Sequence, residues 1–143
     1  MTIQNLIASL LIAASGLALA NPDLTAPEAA AALAAGKVTL IDIRTPPEWK
    51  ETGVAKGAKL LNMLHPQGAQ GFTNALRDKV KGDKNAPIAL ICRTGNRTTQ
   101  VQRYLQSQGF TNVYNVKEGM AGSGAGPGWL KRGLPVETCT TQC

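Results

Sequence analysis

The pattern of apolar and polar positions changes period several times along the chain. Residues 6–14, LIASLLIAA, are apolar apart from Ser9, and the run closes on Ala18-Leu19-Ala20. It is shorter than the roughly 20 residues a membrane-spanning helix needs, and the small-x-small ending suits signal peptidase. Residues 1–20 therefore read as an export signal, although MTIQN lacks the Lys or Arg usual ahead of such a run. Residues 21–143 form the remaining unit. Export implies an oxidising compartment, periplasmic or secreted, with no membrane attachment after cleavage.

Past residue 20, helical and strand patterns alternate. Thr25-Ala26-Pro27-Glu28 has capping-box spacing and opens an alanine-rich helix that stops at Gly36. Residues 38–43, VTLIDI, are β-branched, apolar and of strand length, and Thr45-Pro46-Pro47-Glu48 then starts a short helix near Trp49. Further strands are predicted at 58–61, 87–91 and 112–116, and further helices at 72–80 and 97–106, the last stopped by Gly109. Residues 87–91, PIALI, are too continuously apolar to have a wet face. Five glycines and a proline between Gly119 and Gly128 mark a loop. Strands alternating with helices predict one α/β domain: a mostly parallel central sheet of four to five strands with helices on both faces.

Composition removes several classes. At 143 residues, 43% hydrophobic and 17% charged, the chain is an ordinary globular one, and no repeat supports a collagen, coiled-coil or solenoid reading. The net charge of +6 can concentrate small anions, within a reach of about 8 Å at physiological salt. The basic run from Arg77 to Lys84 is mixed in sign and without aromatics, so it reads as a solvated helix end and no nucleic-acid partner is expected. His65 stands alone between Leu64 and Pro66 and reads as a surface loop residue; no metal site and no organic cofactor is expected.

The candidate chemistry sits in Cys92-Arg93-Thr94-Gly95-Asn96-Arg97, between a buried strand and a helix. Ligands of parallel α/β sheets bind at the carboxyl ends of strands, where this cysteine falls. A tight loop running into a helix N-terminus can turn several backbone N–H groups toward one point, and Gly95 permits the turn. With Arg93 and Arg97 adding two positive charges, that field favours the thiolate over the thiol and could hold a sulfur atom attached to Cys92 or an oxyanion presented to it.

These residues, with an ordered set of others, resemble a single-domain rhodanese, the sulfurtransferase family. The set comprises Asp42-Ile43-Arg44, Pro47-Glu48-Trp49, the segment from Gly53 to Ala58, the loop at 92–97, Gly109-Phe110-Thr111-Asn112-Val113, and Trp129 with Gly133-Leu134-Pro135-Val136. The resemblance implies a Cys92 persulfide, formed from a small anionic donor such as thiosulfate and passed to cyanide, a thiol or a protein. It implies donor binding by Arg93, Thr94, Gly95, Asn96 and Arg97, with Asp42 and Arg44 supporting the neighbourhood. Three positions depart from the family pattern: Val54 where histidine is frequent, Glu118 where a second glycine is frequent, and the segment Gly122–Gly128 where a more helical stretch is usual.

Other readings compete. A cysteine phosphatase resembles Cys-x5-Arg, but position 98 is Thr and the arginine arrives one residue early, giving a ring too small for phosphate. A non-turnover sulfur carrier for a protein partner would keep the cysteine as well. Cys139 and Cys143 could pair as a disulfide, leaving Cys92 free; the alternatives are a resolving thiol of a redox protein and a soft-metal pair.

Overall fold

The computed structural model describes residues 22–143, so the export-signal reading of residues 1–20 lies outside the described residues. Chain order is β1 (Asp23–Leu24), α1 (Ala26–Ala34), β2 (Thr39–Asp42), α2 (Pro46–Thr52), β3 (Val54–Ala55), β4 (Lys59–Leu60), α3 (Gly68–Lys79), β5 (Ile88–Ile91), α4 (Asn96–Ser107), β6 (Val113–Val116) and β7 (Val136–Glu137). Local chemistry explains the helix starts. The Thr25 hydroxyl accepts from the Glu28 amide at 3.2 Å, and the Glu28 carboxylate accepts from the Thr25 amide at 2.8 Å. At α2 Glu48 reaches back to both the amide and the hydroxyl of Thr45, at 3.1 and 3.0 Å.

Five strands form one sheet in the order β1-β6-β5-β2-β4, every neighbouring pair parallel. The expected α/β architecture is therefore present. Three short strands escape the hydrophobic pattern: β1, which adds an edge to β6, and β3 and β7, which form a separate antiparallel pair. Each is two residues long, too short for a period to show, and each exists through a partner distant in sequence. Helix α3 also begins at Gly68, one turn ahead of the apolar pattern at Phe72.

Alternation along the central strands divides the core in two. Ile41, Ile88 and Leu90 join Phe72, Leu76, Val101 and Leu105 of α3 and α4 on one side. Leu40, Ala89 and Ile91 join Ala26 and Ala29 of α1, with Met120 and Trp129, on the other. Successive side chains of a strand point to opposite faces, so the sheet is covered twice and its strands have no polar side to show. Among the described residues, no helix is long and apolar enough to cross a membrane.

Candidate active site

Cys92 follows the last residue of β5 directly, and the loop it opens closes into α4 at Gly95, whose φ of 90° lies in the left-handed region. The Gly95 amide donates to Cys92 Sγ at 3.2 Å, and the Thr98 hydroxyl lies 3.6 Å from the same sulfur. Where the sequence suggested several amides converging, one backbone amide reaches the sulfur among the described residues. Cys92 is 0% exposed and belongs to the cluster of Ile43, Leu61, Phe72 and Val101, on the face of the sheet covered by α3 and α4.

A second loop, following β6, braces the first. The Met120 and Ala121 amides donate to the carbonyls of Cys92 and Arg93, both at 2.9 Å. Two glycines make this approach possible. A Cβ on Gly95 would collide with the Lys117 carbonyl, and one on Gly119 would collide with the Arg93 carbonyl. Neither contact has a local sequence signal, because each joins segments more than twenty residues apart.

The two arginines of the loop differ in role. Arg93 is exposed and enters no ion pair among the described residues. Arg97, expected to meet the anionic donor, grips both carboxylate oxygens of Glu48, at 2.7 and 2.8 Å. That fork holds the Glu48 carboxyl down to about 2 against the opposing effect of burial, with the Thr45 amide and hydroxyl helping. The same Glu48 partnership raises Arg97 above its ordinary value despite burial, and Cys92 and Asp42 add to this electrostatically.

Asp42 sits in register with Ile91, beside the strand end that carries Cys92. Its carboxylate takes Arg44 Nη2 at 2.8 Å and Nε at 3.0 and 3.1 Å, and both residues are buried. Arg44 also donates from Nη1 to the Thr52 hydroxyl and from Nη2 to the Gly53 carbonyl, at 2.9 and 3.0 Å. The pair thus ties the end of β2 to the end of α2, and each guanidinium nitrogen donates within the protein.

Glu118 explains one departure from the family pattern. Only 1% exposed, it accepts from the Ala26 amide at 2.9 Å, the Gly128 amide at 2.8 Å and Arg132 Nε at 2.7 Å. Burial pushes this carboxyl up, but Arg132 and the two amides outweigh it and hold it below its ordinary value. The carboxylate thereby anchors the far end of the glycine-rich segment, which is closed by reciprocal bonds between Ser123 and Gly126 at 2.9 and 3.2 Å. Segment 119–128 carries no helix, in keeping with its glycines.

Elsewhere, Cys139 and Cys143 are bonded to each other with Cα atoms 6.3 Å apart, and Cys92 is the free cysteine. His65 stabilises a turn, its Nδ1 accepting from the Gln67 amide at 3.0 Å. Among the described residues, no group of three His, Cys, Asp or Glu side chains could hold a metal ion.

A free cysteine at the carboxyl end of a central strand, a glycine turn feeding a helix, and a second loop clamped on its carbonyls define the class. The chain belongs to the rhodanese-like domain family, whose model matches residues 25–124. At the level of that family it is a sulfurtransferase domain. It is 37% identical over 78 residues to the thiosulfate sulfurtransferase GlpE of Actinobacillus pleuropneumoniae, a match spanning 52% of this chain and 65% of that relative. Among solved structures it is similar to Rv0390 from M. tuberculosis, with a TM-score of 0.66, 26% identity, and 82% and 98% of the two chains covered. It is also similar to the polysulfide-sulfur transferase homodimer from Wolinella succinogenes, with a TM-score of 0.61, 25% identity, and 85% and 82% covered.

Proposed function

We propose that the protein is an exported enzyme that moves a sulfane sulfur from a small anionic donor such as thiosulfate to a thiophilic acceptor, through a persulfide on Cys92. The observation that carries this reading is the Gly95 amide aimed at Cys92 Sγ at 3.2 Å, in a protein whose other two cysteines are paired. A fixed N–H dipole at the sulfur stabilises negative charge there at no cost of reorganisation during reaction.

In the first half-reaction the Cys92 thiolate attacks the outer sulfur of thiosulfate. A new S–S bond forms, the donor's S–S bond breaks, and sulfite leaves with the electron pair. In the second, a nucleophilic acceptor (cyanide, a thiol or a protein) takes the outer sulfur and returns the thiolate, the two halves making a ping-pong cycle. Arg93 meets the donor's charge, because the charge of Arg97 is already balanced by Glu48. Asp42, Arg44, Glu48 and Arg97 hold the surroundings of the loop.

Complete burial of Cys92 favours one further reading, a carrier that releases its sulfur only to a docked protein. Intact mass of the protein with and without thiosulfate tests the first step: a gain of one sulfur, absent in Cys92→Ser, supports persulfide formation, and no adduct refutes it. Turnover with cyanide then supports the enzyme, whereas loading without turnover supports the carrier.

A further inference from the structure

We infer that Asn115 and Thr99 are positioning residues that orient the sulfur-bearing loop from behind, an inference that rests on the sulfurtransferase reading above. Asn115 lies in β6, a strand flanked by β1 and β5 and covered on both sides, and it is 1% exposed. Apolar side chains are the ordinary occupants of such a position. Its Nδ2 donates to Thr99 Oγ1 at 3.0 Å, and Thr99 Oγ1 lies 2.7 Å from the Gly95 carbonyl. The Gly95 amide in turn donates to Cys92 Sγ at 3.2 Å. Two hydrogen bonds therefore link the sheet through the first turn of α4 to the Gly95 carbonyl, and the amide of the same residue, one Cα away, reaches the reacting atom.

Direction matters in this path. By donating to Thr99, Asn115 occupies a lone pair of the hydroxyl and leaves its proton to point at the Gly95 carbonyl. Gly95 has no side chain to be held by and sits at a φ of 90°, so what its carbonyl and amide touch bears directly on how its peptide planes are oriented. That carbonyl accepts from the Thr98 hydroxyl at 3.1 Å, the Thr99 amide at 3.2 Å and the Thr99 hydroxyl, the shortest of the three. A tilt of this residue moves the N–H that faces the sulfur.

The second observation is a cost. Asn115 Oδ1 is buried and has no hydrogen-bond partner. A buried acceptor left unpaired destabilises the fold, and replacing the group by an apolar one of similar shape can be neutral or stabilising. Folding alone is therefore a poor account of asparagine here; the donor it offers Thr99 is what leucine could not supply.

The two accounts predict opposite behaviour. In the full-length protein, Asn115→Leu and Thr99→Val should each lower kcat for transfer from thiosulfate by about fivefold, with donor KM unchanged. Thr99→Ser should restore the rate, and Asn115→Leu should leave Tm unchanged or higher. Rates within about twofold of the parent in both Asn115→Leu and Thr99→Val would overturn the inference, as would a loss of rate in Thr99→Val that Thr99→Ser fails to rescue. If the parent accepts no sulfur, the functional reading fails separately. The path is then read from hydrogen exchange of the Gly95 amide, which should accelerate about fivefold in Thr99→Val; an unchanged rate would overturn it.

Discussion

Arg97 and Glu48, 49 positions apart, meet in a two-pronged ion pair that joins the first turn of α4 to the first turn of α2. Glu48 thereby does two jobs. It closes the N-terminus of its own helix through Thr45, and it holds the last residue of the cysteine loop.

The pair separates the two arginines in function. Arg93→Ala should raise the donor KM about tenfold with little change in Tm, since it removes an unpaired, exposed charge. Arg97→Ala should instead destabilise the fold by about 1–2 kcal/mol, lowering Tm by several degrees, because it strands Glu48. Steady-state kinetics alongside thermal unfolding checks both; equal KM effects would show that Arg97 meets the donor after all.

Acid should weaken the fold through the same carboxylates. Glu48 sits at about 2 in the folded protein against an ordinary value of 4.5, and Glu118 is also lowered. A depressed carboxyl contributes stability that is complete above its unfolded value and is lost as pH falls toward the folded one. The parent should therefore lose stability between about pH 5 and pH 2, and Glu48→Gln should flatten that slope. Urea midpoints measured across this range check it.

Removing the buried carboxylate altogether should be more costly. Glu118→Ala leaves the Ala26 and Gly128 amides and Arg132 without their acceptor, a loss of about 2–4 kcal/mol. Equilibrium urea unfolding measures it, and a change below about 1 kcal/mol would show that water replaces the carboxylate.

The close approach of the two loops is testable at one atom. Gly95→Ala should destabilise by at least about 2 kcal/mol, from the left-handed φ and from collision with the Lys117 carbonyl. Gly36→Ala, which meets nothing within 4 Å, carries only the backbone penalty and should cost about 1 kcal/mol. Comparing the two by urea unfolding isolates the steric share.

Much of this architecture is legible in the sequence. The strands at 38–43, 87–91 and 112–116 and the helix at 97–106 appear within a residue or two of the predicted bounds, because a buried strand and an amphipathic helix each repeat a pattern over several positions. The capping threonines were legible for the same reason: donor and acceptor lie within one turn. Strands β1, β3 and β7 were not, since two residues cannot display a period and their pairing is decided elsewhere. Thr98 lay in plain view beside the cysteine loop, yet its hydroxyl's approach to the sulfur shows only once α4 is wound.

By itself the sequence determined the longer helices and strands, the α/β alternation and the position of the cysteine at a strand end, since all three follow from spacing along one segment. Only the tertiary structure decided that Arg97 belongs to Glu48, that Glu118 is a buried anchor, that Lys117 and Gly119 lie against the cysteine loop, and that Asn115 stands behind Gly95. Each of those contacts joins residues at least ten positions apart, and chain spacing carries no record of which distant partners packing will bring within hydrogen-bond reach.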